Sequence, residues 1–382
     1  MKITGVRVRI TKDQAQTPVT NALGTSEDHF ARAHIMHIVE VFTDEDVSGV
    51  VVADGGNPTL RWMIEHHLQP LIVGEDPRNY ERLWRKMFGE PRGWRHQTTK
   101  GEAIRAIGVV DTAIWDLIGK ASNTPLYQLL GGFRDRVPCY ASGGHYVSLD
   151  SQADELRFLE TETPRFIELG YRAVKMRVGR HIGHDCQRAK LVRDIIGPDM
   201  HLMMDFNFSQ TYHGGAGQAI RFMRALEPFD PYWFEDPLIM DDITGLKQVC
   251  DAIATPIATG EREQAVWGFR ELVVNRAADI LLPDAVNAAG GVTQWRAISA
   301  LAEAYRIPMA GHAAERVHTH CVAATPNGLT VEMFRPLEER RHLFESNPIR
   351  PDKDGMISVP QTPGLGVELD EHYIAGHLIE NY

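Results

Sequence analysis

Residues 201–207 read HLMMDFN, residues 232–237 read YWFEDP and residues 256–261 read PIATGE. Each is a short apolar run that closes on a carboxylate: Asp205, Glu235 and Glu261. Apolar runs of this length between helix-sized segments read as strands buried on both faces. The same texture recurs outward in VPCYAS (137–142), AVKMRV (173–178), DILLPDAV (279–286), IPMAGH (307–312) and LTVEMF (329–334). Eight strands alternating with amphipathic helices predict an α/β chain, a (β/α)8 barrel. In such barrels the C-terminal ends of the strands form the mouth where chemistry is done.

Upstream the pattern differs. Residues 2–10 alternate, with Val6, Val8 and Ile10 on one face and Arg7 and Arg9 on the other. Residues 33–42 and 48–53 also read as strands, joined by the turn Thr43-Asp44-Glu45-Asp46, so the chain opens as a small antiparallel meander. Ile104, Ile107, Val110, Ile114 and Leu117 recur at helix spacing in 103–120. Thr124 followed by Pro125 predicts an N-cap and first helical position, and Gly131-Gly132 ends that piece. Beyond about residue 345 a Pro-rich, extended stretch is expected to return to this first α+β unit.

The 382 residues carry a formal charge of −11, with 43% hydrophobic and 24% charged side chains. An acidic surface argues against nonspecific nucleic-acid or membrane partners. It also requires local cations if the substrate is an anion. Cys139, Cys186, Cys250 and Cys321 form no CxxC pair, which predicts a reduced, cytoplasmic chain. The opening MKITGVRVRITKD lacks a signal-peptide core, and no apolar run reaches a membrane span.

Any one acid after a strand is as readily the N-cap of the next helix. Three on successive strands instead place three carboxylates side by side at the barrel mouth, where they repel unless a cation lies between them. Oxygen donors with room for water suit Mg²⁺. Alternation puts Lys175 and Arg177 on one face of their strand. If that face is the lumen, both cations point at the acids; if not, they are solvated. Asp284 and His312 lie one βα unit apart, and a carboxylate-held histidine has a fixed tautomer and a more basic second nitrogen. Glu332 adds a further charge on the eighth strand.

Together these residues resemble the enolase superfamily, in particular its mandelate racemase-like branch, over nearly the whole chain. The strings GGVTQWRAISALAEAYRIP (290–308) and AATPNG (323–328) share that likeness. The resemblance implies a modified barrel over 131–345, covered by an α+β capping domain formed by 1–130 and completed by about 345–382. It implies Mg²⁺ ligands at Asp205, Glu235 and Glu261, a KxK-type motif at Lys175 and position 177, an acid–base dyad at Asp284 and His312, and a carboxylate-binding Glu332. A protonated Glu332 donating to the substrate carboxylate is part of that expectation. Homo-oligomers are common among such relatives. Two departures stand out. Arg177 replaces a lysine that often acts as base, and arginine stays protonated. PDAVNAAGG (283–291) is one residue longer between Asp and the glycines than in mandelate racemase.

The expected reaction is abstraction of the proton α to a carboxylate, with His312 as the one base. Three carboxylates and one Mg²⁺ sum to −1, and Lys175 and Arg177 bring the site to +1, ready for a developing enediolate. The resemblance implies a His or Lys base acting beside Mg²⁺ that stabilises the enediolate. One base favours dehydration of a small acid sugar over racemisation, with an epimerase, a racemase or a sugar-lactone cycloisomerase as alternatives. Asn21, His145, Asn207, Asp236 and Arg262 are candidate substrate contacts, with polar loops at Thr17, Thr20, Thr25, Asp28 and His29 and at Gly55-Gly56-Asn57. A zinc hydrolase using His312, His318 and His320, or a barrel that only binds, are the readings from other classes.

Overall fold

The computed structural model describes residues 1–12, 22, 35–55, 58–89, 100–147, 151–334 and 343–379. Asn21, the other polar residues named between 17 and 29, and Gly56-Asn57 lie outside the described residues.

Strands β1 (Ile3–Lys12), β2 (Ile35–Thr43) and β3 (Ser48–Asp54) form an antiparallel sheet in that order. Val6, Val8 and Ile10 are buried, while Arg7 and Arg9 pair with Glu40 at 2.8 and 3.0 Å. The sheet lies on the helix Glu102–Ala121, so closely that a Cβ on Gly49 would collide with the carbonyl of Ala113. Only glycine allows that approach.

Eight parallel strands follow: β4 (Arg136–Ser142), β5 (Ala173–Arg177), β6 (His201–Asp205), β7 (Pro231–Glu235), β8 (Ile257–Thr259), β9 (Ile280–Leu281), β10 (Met309–Gly311) and β11 (Gly328–Phe334). Each pairs with the next, and β11 returns to β4 with Val331 opposite Cys139, which closes the barrel. Tyr140, Met203, Trp233, Ala258, Ile280, Leu282 and Ala310 form one buried cluster. The expected run at 279–286 yields only two ladder residues, because Pro283 has no N–H to donate.

The short helix starts one residue later than expected, at Leu126. Leu126 N donates to Gly364 O (2.8 Å), which holds Pro125 extended as the N-cap. Thr124 Oγ1 donates backward to Ser122 O instead of capping.

The chain after Glu332 ties barrel and sheet together. Strand β12 (Met356–Ser358) runs antiparallel to the start of β4. Asp116 accepts from Val50 N and from Leu365 N, both at 2.7 Å, so one carboxylate joins sheet and tail. The helix Glu371–His377 reaches the outer face of the sheet, where Phe344 and Ile374 cover Met36, Ile38, Val50 and Val52. Ile379 N then donates to Ile10 O at 2.9 Å. Among the described residues no helix is long and apolar enough to cross a membrane.

Candidate active site

Asp205 and Glu235 are the last residues of β6 and β7, Glu261 follows β8 by two residues, and His312 follows β10 directly. Parallel register sets Arg177, Asp205 and Glu235 side by side. Both Lys175 and Arg177 face this cluster, as alternation required. Lys175 Nζ contacts Glu235, lies 2.8 Å from Glu332 Oε1 and 3.3 Å from Asp205 Oδ2, and Arg177 Nη1 contacts Asp205. All these groups are nearly or fully buried.

His312 is the exception, with 16% of its side chain exposed. Its Nδ1 donates to Asp284 Oδ2 at 3.1 Å and its Nε2 lies 2.9 Å from Glu261 Oε2. Asp284 is fixed in turn by Val286 N (3.0 Å), Asn287 N (2.8 Å) and Asn287 Nδ2 (3.1 Å). Burial disfavours the Asp284 anion, but the hydrogen bond from His312 and its charge bring the carboxyl down to about 2. Burial likewise opposes charge on His312, yet Glu261 and Asp284 raise it well above the usual imidazole value.

Glu332, expected to donate a proton to the substrate carboxylate, lies among cationic neighbours. Burial favours its neutral form, but Lys175 and His312 hold it at about 2, and Ala313 N donates to its Oε2 at 2.8 Å. Its Oε1 lies 2.8 Å from Lys175 Nζ.

The tightest carboxylate group among the described residues is Glu235, Asp236 and Glu261, whose oxygens lie within 4.8 Å of one another. Asp205 stands outside it, drawn to Arg177 and Lys175. Asp236, a candidate substrate contact, is fully buried, and its Oδ2 has no hydrogen-bond partner. Burial, with Glu261 and Glu235 adding repulsion, pushes Asp236 well up; burial also raises Glu235 despite Lys175. Acids so crowded cannot all ionise alone. An orphaned oxygen and an all-oxygen donor set fit a hard divalent cation. The zinc arrangement is absent among the described residues. His318 Nε2 accepts from Ala285 N and its Nδ1 faces Ala313 O, while His320 bridges Tyr127 N and Leu365 O, so neither converges with His312.

His145 is buried after β4, its ring edge on Phe334, and burial beside Arg177 and Lys175 keeps it neutral. Asn207 and Arg262 sit just past β6 and β8; Arg262 is 62% exposed, with Nε 3.3 Å from Glu261. Two residues escaped the sequence reading. Trp233 Nε1 donates to Glu235 Oε2 at 2.9 Å, which period-two alternation could have shown. Arg188, fully buried, donates to the carbonyls of Arg177 (2.7 Å) and Gly144 (2.6 Å) and so holds the ends of β4 and β5 together. A helical arginine carries no sequence signal of burial.

Residues 159–373 match the family described as enolase C-terminal domain-like, and residues 4–131 match the mandelate racemase / muconate lactonizing enzyme N-terminal domain. The chain belongs to the enolase superfamily, in its mandelate racemase-like branch. Among its superfamily relatives is the 3,6-anhydro-alpha-L-galactonate cycloisomerase of Streptomyces coelicolor, 32% identical over 370 residues that span 95% of this chain and 96% of the relative. The arabinonate dehydratase of Saccharolobus solfataricus is 30% identical, covering 87% and 88%. A racemase structure from Streptomyces coelicolor with bound magnesium superposes with a TM-score of 0.87 at 30% identity, over 99% of this chain and 100% of that one. The superfamily barrel and cap are thus present here, and the chain is an enzyme.

Proposed function

We propose that this enzyme dehydrates a small acid sugar, an aldonate or aldarate, by taking the proton α to the carboxylate and expelling the β-hydroxyl to give a 2-keto-3-deoxy acid. The observation that supports this most is the asymmetry of the mouth. One imidazole, His312, reaches solvent on a carboxylate tether, while the opposite strand offers Arg177, which is paired with Asp205 and is no base.

The cation is Mg²⁺, with Asp205, Glu235 and Glu261 as its ligands and Asp236 beside them. When bound it supplies the positive charge that acidifies the α-proton and steadies the carboxylate. In His312, Nδ1 is held by Asp284, so Nε2, which here lies 2.9 Å from Glu261 Oε2, is the nitrogen assigned to face the substrate. It accepts the α-proton, and the imidazolium then returns a proton to the departing β-oxygen. Lys175, kept charged by Glu235 and Glu332, offsets the negative charge that develops on the carboxylate. Asn207, His145, Arg262, Asp236 and Asn21 are the residues proposed to read the polyol. Four free cysteines agree with a cytoplasmic setting, and the family likeness with a homo-oligomer.

A second reading has its own support, the relative named as a cycloisomerase. A substrate with an ether oxygen on the β-carbon would undergo the same elimination, with the ring oxygen taking the hydroxyl's place. The test is incubation of the Mg²⁺-loaded enzyme in D₂O with a panel of mono- and diacid sugars and their anhydro forms, followed by proton NMR and mass spectrometry. Loss of the α-proton with growth of a 2-keto-3-deoxy product one water lighter supports dehydration. A keto product that keeps all the substrate's oxygens, heavier only by the deuterium taken up at C3, supports ring opening. Inversion of the α-centre with no keto product would overturn the one-base reading, and exchange with retention and no keto product would overturn the elimination.

A further inference from the structure

The cap grips one barrel loop at several points, and that loop holds Asp284. Trp84 Nε1, on the helix Tyr80–Met87, donates to Gly290 O at 2.6 Å. Asp111, on the helix Glu102–Ala121, accepts from Thr293 N at 2.9 Å and from Thr293 Oγ1 at 2.7 Å. Trp115 Nε1 donates to the same hydroxyl at 2.9 Å. Between these grips, a Cβ on Gly108 would sit 2.9 Å from Gly291 N and 3.0 Å from Ala285 O. The cap helix therefore rests directly on the loop backbone.

The loop 285–291 carries those contacts inward. Val286 N and Asn287 N donate to Asp284 Oδ1, Asn287 Nδ2 donates to Oδ2, and Oδ2 accepts from His312. Ala289 N returns to Asp284 O at 2.6 Å, and Gly291 N to Ala285 O at 2.7 Å, so the loop is a tight turn with little slack. The clamped residues are buried. Asp111 also serves as the acceptor for one free amide, that of Thr293, in the first turn of the helix Val292–Ala304, a role usually filled by a residue of the same chain segment.

We propose that Asp111, with Thr293 as its barrel partner, is a positioning residue for the Asp284–His312 pair, so that docking of the cap sets the angle of the imidazole. This rests on the reading of His312 as the base. A misplacement of a fraction of an ångström in that imidazole lowers turnover without touching the acid cluster.

The test uses the full Mg²⁺-loaded enzyme. Thr293→Val removes the hydroxyl that Asp111 and Trp115 share, Thr293→Ser keeps it, and Asp111→Asn removes one acceptor. The expected result for Thr293→Val and Asp111→Asn is kcat lower by roughly ten- to a hundredfold, with KM and Mg²⁺ affinity unchanged. The downfield Nδ1–H resonance of the His312–Asp284 hydrogen bond should weaken or shift, and Thr293→Ser should restore both readouts. Parental kcat and an unmoved resonance in folded Thr293→Val and Asp111→Asn would overturn the proposal. A shifted resonance at parental kcat also overturns it, and if His312→Asn is active as well, the base assignment falls separately.

Discussion

At the scale of single residues, the site rests on a division of labour among charges. His312→Asn keeps the shape of the ring's near edge but removes the proton-accepting Nε2. Turnover should fall by about 10³-fold or more, while calorimetric titration finds Mg²⁺ bound as before; substantial residual activity would refute the base. Glu235→Gln should weaken Mg²⁺ by at least about ten- to a hundredfold, since even outer-shell changes cost that much. Unchanged affinity by the same titration would remove Glu235 from the ligand set. The sequence made Asp205 and Glu235 legible because each ends an apolar run and lies in phase with the inward Met203 and Trp233, whereas Glu261 is out of phase with Ala258 and follows a turn at Gly260, φ +123°. It left Asp236 obscure for a physical reason. Alternation points residue 236 away from the lumen, but its φ of +42° turns the backbone and swings the carboxylate into the acid group. Glu332 was legible in place but its ion pair was not, because the proximity of Lys175 Nζ depends on packing across the barrel.

At the scale of elements, the barrel strands were readable because each is an uninterrupted apolar run, whereas the joints between elements were not. Pro125 is an N-cap and not a first helical residue only because Gly364, far along the chain, bonds to Leu126. His320 belongs to the same joint. Its Nδ1 accepts from Tyr127 N at 3.3 Å and its Nε2 faces Leu365 O at 3.2 Å, so it ties two helices to the tail while neutral. Burial lowers its pKa to about 4, even though Leu365 favours the charged form. A base depressed on folding takes up protons more readily when unfolded. Stability is therefore complete above about pH 6.5 and is lost as pH falls from there toward 4. His37, lowered to about 4 by burial and by Arg105, acts in the same window. Each contributes on the order of 3 kcal/mol. Urea unfolding at a series of pH values should show this slope, and His320→Gln should flatten it; an equally steep slope in the variant would exclude His320 as a source.

At the scale of the whole molecule, the barrel is closed by its own ladder, while the cap depends on a segment that arrives after it. Ile374 is fully buried on Met36, Ile38, Val50 and Val52. Ile374→Ala should therefore cost about 2–5 kcal/mol, read as a lower urea midpoint with the slope retained. A change below about 0.5 kcal/mol, typical of surface positions, would show that the tail does not secure the cap. That the tail would return was implied by the resemblance to the enolase superfamily. Which face it would cover was not, since β2 is buried on both sides and its sequence shows no polar face.

The return of the tail to the sheet has a consequence for how the chain is made. Val52 leaves the ribosome roughly 300 residues before Phe344 and Ile374. At about 5–20 residues per second, that face of the sheet stays bare for on the order of 15 to 60 s. Through that interval the nascent chain carries an uncovered apolar sheet. Partly made chains are therefore open to aggregation through that face until the tail arrives.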